Sequence, residues 1–239
     1  MITDRTQLLV GEENMLKLQK NKVMVVGLGG VGAYAAEAIA RAGVENMIII
    51  DGDKISPSNI NRQLLALHST IGQSKAMLMA QRLKDINPNI NLTVIDEYIK
   101  DGRMLQILQD NPCDWVVDAI DTLSPKVFLL AHCHRLGLRV VSSMGSGGKF
   151  DPQQVQITDI SKTYNCPLAS HIRKQLHKQG IYKGITAVFS PEKVNKSACR
   201  EEFSENKRTT IGTISYMPAI FGLYIASVII TGTTCREYY

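Results

Sequence analysis

Cysteine is scarce in this chain and poorly spaced for holding metal. Cys113, Cys133, Cys166, Cys199 and Cys235 each lie at least twenty residues from the next. No C-x-x-C pair exists, so the common structural zinc site and the dithiol redox motif are both excluded. The odd count, with a mixed polar stretch from Met1 to Lys22 in place of an apolar leader, leads us to expect a reducing cytoplasm. Neither sign of charge dominates: 27 Lys and Arg against 22 Asp and Glu leave a net +5, compatible with an anionic partner without requiring one. Internal repeats and low-complexity tracts are absent, which argues against a repeat array. At 239 residues the chain has room for one large α/β domain and little else.

Long uncharged runs are nearly absent too, with one exception. Ile211 to Thr231 has twenty-one residues and no charge, enough to span a bilayer. We expect this segment in the core of the α/β domain. The alternative is peripheral or single-span membrane association through 211–231.

What is present is a strand–turn–helix alternation. Val23–Gly27 reads as a buried strand, Val31 to Ala42 as a helix stopped by Gly43, and Met47–Ile50 as the next strand, together one right-handed βαβ unit. Helices are predicted over Lys75 to Ile86, Gly102–Gln109 and Pro125 to Leu136. Strands are predicted over Asn91–Ile95, Trp115–Ala119 and Arg139–Ser143. The alternation predicts a Rossmann-like, doubly wound, mostly parallel sheet. Past the turn Met144 to Gly148 the rhythm changes. Val155–Thr158 reads as a strand of the second half, Pro167 to Gln179 as a short basic helix, and Val194 to Arg208 as a mobile loop. The expected organisation is a single domain over 1–239. It has a helical arm (1–22), a nucleotide-binding half (23–143) and a C-terminal substrate-side half (144–239) that extends the same sheet.

Chemistry concentrates between Val23 and Lys75. Gly27, Gly29 and Gly32, with Gly30 between them, form G-x-G-x-x-G after a strand and before a helix. There the backbone can approach phosphate and a helix N-terminus offers N–H donors. That turn alone fits NAD, FAD, S-adenosylmethionine or ATP. Asp51 ends the second strand, where an acid accepts ribose hydroxyls, and Asp53 is placed to join it or to reach a metal ion. Asn59, Asn61, Arg62 and Gln63 put four polar groups into five residues, and Lys75 follows twelve residues after Gln63. A guanidinium fork, amide donors and an ammonium suit a triphosphate. A hydride-transfer enzyme would leave this cluster idle. Asp118 and Asp121 fall at the carboxyl end of the fourth strand, where a carboxylate suits Mg²⁺. Asp118 has the stronger claim to being a buried cap.

The set GLGGVG, DGD, NxNRQ, GxxK and DAID, in this order and spacing, resembles the adenylating domain of ubiquitin-activating-like enzymes, the ThiF/MoeB/HesA superfamily. Within it the chain is most similar to the tRNA threonylcarbamoyladenosine dehydratase branch. That likeness is carried by Arg5 to Gly11, Gly145 to Lys149, Asp151 to Asp159, Lys162-Thr163 and Pro167-Leu168-Ala169. The resemblance implies ATP-dependent dehydration, by cyclisation, of the modified adenosine beside the tRNA anticodon, through an acyl-adenylate of its carboxylate. It implies that Asp51 holds ribose, Arg62 and Lys75 hold the triphosphate, Asn59 and Gln63 orient the α-phosphate region, and Asp121 helps place Mg²⁺. It also implies a homodimer in which Arg5 reaches the neighbouring subunit's nucleotide. Superfamily members that activate sulfur carriers bring two C-x-x-C zinc pairs, absent here. Some dehydratase-branch members carry a cysteine just after the pair matching Lys207-Arg208. Here Thr209, Thr210 and Ile211 stand there, and Cys199 is read as an incidental thiol.

Arg173, Lys174 and Lys178 lie in a stretch from His171 to Lys183 with no acid, which suits tRNA phosphates or, equally, a solvated helix face. Other readings share parts of the site. An enzyme adenylating the C-terminal carboxylate of a ubiquitin-like sulfur-carrier protein would use every ATP residue named. An NAD-dependent dehydrogenase would use the glycine turn and Asp51, and a nucleotide-binding adaptor docked on a membrane would use 211–231. Any sulfur-relay or electron-transfer partner is not specified by the sequence.

Overall fold

The structure is a computed structural model and describes residues 2–99, 101–201 and 209–234. Two short helices come first, α1 (Asp4–Val10) and α2 (Glu12–Lys20). The first half of the sheet then alternates with helices: β1 (Lys22–Val26), α3 (Gly32–Arg41), β2 (Asn46–Ile50), α4 (Lys75–Ile86), β3 (Asn91–Ile95), α5 (Asp101–Asp110), β4 (Trp115–Asp118), α6 (Leu123–Arg135) and β5 (Arg139–Ser143). The second half adds β6 (Gln156–Asp159), α7 (Pro167–His177), β7 (Thr186–Phe189), the hairpin β8 (Cys199–Glu201) and β9 (Thr209–Ile211), and α8 (Tyr216–Thr234).

The main sheet has seven strands in the order β3-β2-β1-β4-β5-β7-β6. All neighbours run parallel except β6, which pairs antiparallel to β7 at the edge. Period-two alternation divides the strands between two cores, as a sheet covered on both faces requires. Val23, Val25, Met47 and Ile49 face a core completed by α3 and α8. Met24, Val26, Ile48 and Ile50 face one completed by α6 and α7. The chain reverses direction across the sheet at β1 and β4, so a crevice opens above the carboxyl ends of those two strands.

Several boundaries differ from the expected ones for identifiable reasons. Helix α6 starts at Leu123, two residues before Pro125, because proline is tolerated in a first turn whose N–H groups are unpaired anyway. Helix α7 ends at His177, with Lys178 as its C-cap. The expected loop Val194 to Arg208 is partly regular: a 3₁₀ turn at Lys196–Ala198 leads into β8, which pairs with β9. Its residues 202–208 lie outside the described residues.

The uncharged C-terminal run becomes α8, nineteen residues long and apolar enough to cross a membrane by length and composition. In this fold one side of it is spent on the protein. Met217, Phe221, Ile225, Ala226 and Ile229 are buried, and Asn21 Nδ2 donates to Thr233 Oγ1 at 3.0 Å. The crossing with α3 is close because Gly222 has no Cβ, and one there would lie 3.0 Å from Ala35 N. Membrane insertion through this segment would strip α8 from α3 and open the core.

Candidate functional site

The crevice residues are placed by backbone geometry before any side-chain chemistry. Gly27 follows β1 with φ +90°, a left-handed conformation that favours glycine, and a Cβ there would sit 2.8 Å from Ala119 O. The turn after β1 therefore lies against the turn after β4. The side chain of Gln63 lies against Gly29, and Arg62 O and Pro218 of α8 lie against Gly30. Gly32 opens α3, whose N-terminus faces the same crevice. Three segments distant in sequence thus converge on the glycine turn, beside the start of α3.

Asp51 closes this arrangement from the β2 side. Its Oδ2 accepts Leu28 N–H at 2.6 Å and its Oδ1 accepts Asp53 N–H at 2.7 Å. Burial pushes the Asp51 carboxyl above its ordinary value, against the opposing pull of Lys75 and the two amides. Each oxygen has one bond from the backbone, and a carboxylate oxygen has two lone pairs, so acceptor capacity for a ribose hydroxyl remains.

Asp53, beside Asp51 at the end of β2, is held by two side-chain partners. Its Oδ2 pairs with Lys75 Nζ at 2.8 Å and its Oδ1 accepts the Tyr98 hydroxyl at 2.7 Å. The bond to Asp53 and the charge of that carboxylate hold the Tyr98 phenol up at about 12. Lys75 is buried at the start of α4, fixed also by its own N–H to Asp53 O at 3.0 Å. The ammonium is aimed at the crevice, as expected, with a carboxylate partner that an incoming phosphate would have to displace or share.

The 59–63 segment is a folded turn. Asn59 Oδ1 caps Ser56 N–H at 3.0 Å, leaving the Nδ2 end as its donor for a ligand. Arg62 Nη1 donates to Ser58 O and to Asn61 Oδ1, both at 2.8 Å, so one arm of the fork fixes the loop and the other remains for phosphate. Asn61 Nδ2 in turn donates to Thr213 O at 2.9 Å, tying this turn to the approach of α8. Gln63 Oε1 is buried with no partner. An orphaned buried acceptor costs about 1–3 kcal/mol and calls for a donor from a ligand or water.

Asp118 and Asp121 part company. Asp118 is fully buried and pairs with Lys126 Nζ at 2.8 Å, while Ser142 Oγ donates to it at 2.6 Å and Ile120 N–H at 3.2 Å. Lys126 Nζ also donates to Ile120 O at 3.0 Å. Asp121 is exposed, one residue beyond that pinned carbonyl, just before α6. Asp118 is thus a structural anchor, and Asp121 is the carboxylate presented to solvent at the crevice.

Arg5 is not with the others. It lies exposed on α1, and Thr3 and Met15 of this N-terminal pair sit against Gly43, beyond the far end of α3. The ten residues of α3 separate that end from the glycine turn by about 15 Å. The basic trio also divides. Lys174 and Lys178 are exposed, whereas Arg173 is half-buried and bonds Thr163 Oγ1 and Ile160 O. Arg173 lines an open cavity of about 510 Å³ with Asn165, Cys166, Ser170, Lys193 and Val194.

Sequence reasoning missed Lys126, Ser142 and Tyr98. A lysine inside a predicted helix and a serine inside a predicted strand carry no local signal of pairing with Asp118. Tyr98 had one faint cue, an aromatic at the polar end of the third strand, one strand over from Asp53.

The ThiF family matches residues 3–235 of the chain. Over 234 residues the chain is 36% identical to tRNA threonylcarbamoyladenosine dehydratase from Bacillus subtilis, covering 95% of this chain and 92% of that protein. The crystal structure of the Escherichia coli tRNA threonylcarbamoyladenosine dehydratase in complex with ATP superimposes with a TM-score of 0.89 at 33% identity, covering 98% of this chain and 94% of that one. Likeness to the molybdopterin-synthase adenylyltransferase of E. coli is narrower, 34% identity over 52% of this chain and 49% of that protein.

Proposed function

The chain belongs to the ThiF family, and on that premise we propose that it is an ATP-dependent dehydratase acting on threonylcarbamoyladenosine in tRNA. The observation that carries the reading is the convergence of the glycine turn, the 59–63 turn, Lys75 and the Asp121 turn on one crevice, in a chain similar over nearly its whole length to such dehydratases. A carrier-activating adenylyltransferase shares the crevice, but likeness to such enzymes is lower in extent or identity, 34% over 52% of this chain in one case and 26% over 77% in another.

The crevice fits Mg-ATP on its own terms. The orphaned Gln63 Oε1 supplies an acceptor, the α3 N-terminus and the second arm of Arg62 supply donors for phosphate, and Asp51 keeps lone pairs for ribose. In this proposal Arg62 and Lys75 hold the triphosphate and Asn59 Nδ2 steers the α-phosphate. Asp121 holds Mg²⁺, which when bound offsets charge on the departing pyrophosphate. Asp53 keeps the Lys75 side chain oriented until phosphate arrives, with Tyr98 bracing Asp53 from the other side. The threonylcarbamoyl carboxylate attacks the α-phosphorus and pyrophosphate leaves. The side chain then closes on its activated carbonyl and AMP leaves, so one water is lost overall at the expense of ATP.

The division into a nucleotide half (23–143) and a substrate half (144–239) belongs to the same proposal, as do Lys174 and Lys178 as tRNA phosphate contacts. So does a homodimer. Arg5 is too far along α3 to serve its own crevice, and α1 has no buried residue while Leu8 and Leu9 are 87% and 85% exposed. A second copy covering α1 would bury these leucines and carry Arg5 toward a neighbouring site.

The test is nucleoside mass spectrometry on tRNA bearing the linear modification, incubated with the protein and Mg-ATP. ATP-dependent loss of one water from that nucleoside is expected, and should fall by orders of magnitude in Arg62→Ala while the fold survives. No mass change, with pyrophosphate exchange appearing on addition of a Gly-Gly carrier protein, would overturn the proposal.

A further inference from the structure

One exposed aromatic ring, paired with a half-buried one, stands beside the crevice without a role. Phe150 is 66% exposed, yet its backbone is clamped on both sides. Its N–H donates to Glu192 Oε2 at 2.8 Å, and its carbonyl accepts the Tyr216 hydroxyl at 2.7 Å. The two rings meet edge-on, centroids 6.0 Å apart and planes 73° apart, which leaves aromatic face uncovered. A large apolar ring on a backbone held by two neighbours, Glu192 and Tyr216, is a fixed platform in water.

Its position is set by the crevice. Tyr216 lies two residues before Pro218, which packs on Gly30 of the glycine turn. Thr213, three residues before Tyr216, accepts the Asn61 amide, and Asn61 accepts Arg62. The platform is therefore one short contact chain away from the groups proposed to hold the triphosphate. On its other side, Lys193 follows the Glu192 that clamps Phe150, and Lys193 and Arg173 are the two cations lining the open cavity at the start of α7.

We infer that Phe150, braced by Tyr216, is the surface on which the substrate adenine of a single-stranded RNA loop stacks, with a flanking phosphate toward Arg173 and Lys193. Unpaired bases splayed from RNA loops are recognised by stacking on aromatic side chains, and backbone phosphates by cations. Stacking here would bring the base's side-chain carboxylate to the α-phosphate region and leave ATP binding to the other residues. The inference rests on the tRNA reading above and adds the residue that receives the base.

The experiment uses the full chain and an anticodon stem-loop RNA with 2-aminopurine in place of the target adenine, whose fluorescence is quenched on stacking. Wild type and Phe150→Trp should quench it. Phe150→Leu should not, and its kcat/KM for the natural modified tRNA should fall about 5- to 150-fold, the range of one base–aromatic stack. The rise in melting temperature with ATP checks that the variant is folded. RNA binding with full quenching by Phe150→Leu would overturn the inference and leave the tRNA reading standing. Conversion of a dimer to a monomer by Phe150→Leu would overturn it by assigning the ring to a subunit interface. No binding of either RNA by the wild type would overturn both the inference and the tRNA reading.

Discussion

Lys126→Met should be among the most damaging single substitutions outside the crevice. The ion pair with Asp118 has no exposed surface on either side chain. Removing the ammonium leaves Asp118 with Ser142 Oγ and Ile120 N–H as its remaining donors, and Ile120 O without its 3.0 Å donor. Breaking a buried pair from one side typically costs about 3–5 kcal/mol, against a total stability of roughly 5–15 kcal/mol for a domain. In a chain of this length that corresponds to a fall in Tm of about 6–20 °C. Urea unfolding followed by circular dichroism measures the loss. The double variant Lys126→Met/Asp118→Asn should recover at least half of it, because the cost lies mainly in the stranded charge and the desolvation of two ions is no longer required. At a temperature where Lys126→Met is still folded, its ATP turnover should also fall, since Asp121 follows the carbonyl hung from this ammonium. A single-variant loss below about 1 kcal/mol, or a double variant as unstable as the sum of the singles, would refute the assignment of Asp118 as an anchored structural charge.

Three further outcomes are expected. Asp51 and Asp159 should titrate on opposite sides of the ordinary aspartate value in carboxyl-carbon NMR. Burial raises Asp51, while at Asp159 the Ser161 hydroxyl and the amides of Ser161, Gly184 and Ile185 outweigh burial and lower it. By linkage, Asp51 favours the fold most below its unfolded pKa and loses that contribution as pH rises through its raised folded value. Asp159 contributes above its unfolded pKa, and its contribution is lost as pH falls through its lowered one; the reverse order of the two midpoints would contradict the hydrogen bonds described. Cys113, pushed up to about 11 chiefly by burial, and Cys133, pushed up further, should alkylate with iodoacetamide at pH 8 far more slowly than free cysteine, and a free-thiol rate at Cys133 would show that α6 opens readily, at Cys113 that the turn before β4 does. Gly222→Leu should destabilise the fold by roughly 1–3 kcal/mol or more, read as a shifted urea midpoint, because α8 must move off the α3 backbone; an unchanged midpoint would mean that the crossing is loose.

The apolar runs were enough to read β1, β2 and β4, because nearly every residue of these central strands is buried between the two cores. Helix α4 and strands β3 and β5 fall where composition places them. The glycine turn, Asp51, the 59–63 turn and Lys75, which the fold brings to one crevice, could be singled out in the sequence because they lie within fifty residues of one another in a pattern suited to phosphate. Other features were settled only by contacts between distant segments. Asp118 was divided from Asp121 by Lys126 and Ser142, one on a helix and one on the next strand. The uncharged run 211–231 became a core helix because Gly222 lets it lie on α3. Arg5 was set apart from the crevice by the length of α3, and Phe150 was brought beside it by Tyr216, sixty-six residues later. Local pattern fixes which face a residue takes and where a turn must bend. Which distant partner meets it depends on how the helices close over the two faces of the sheet.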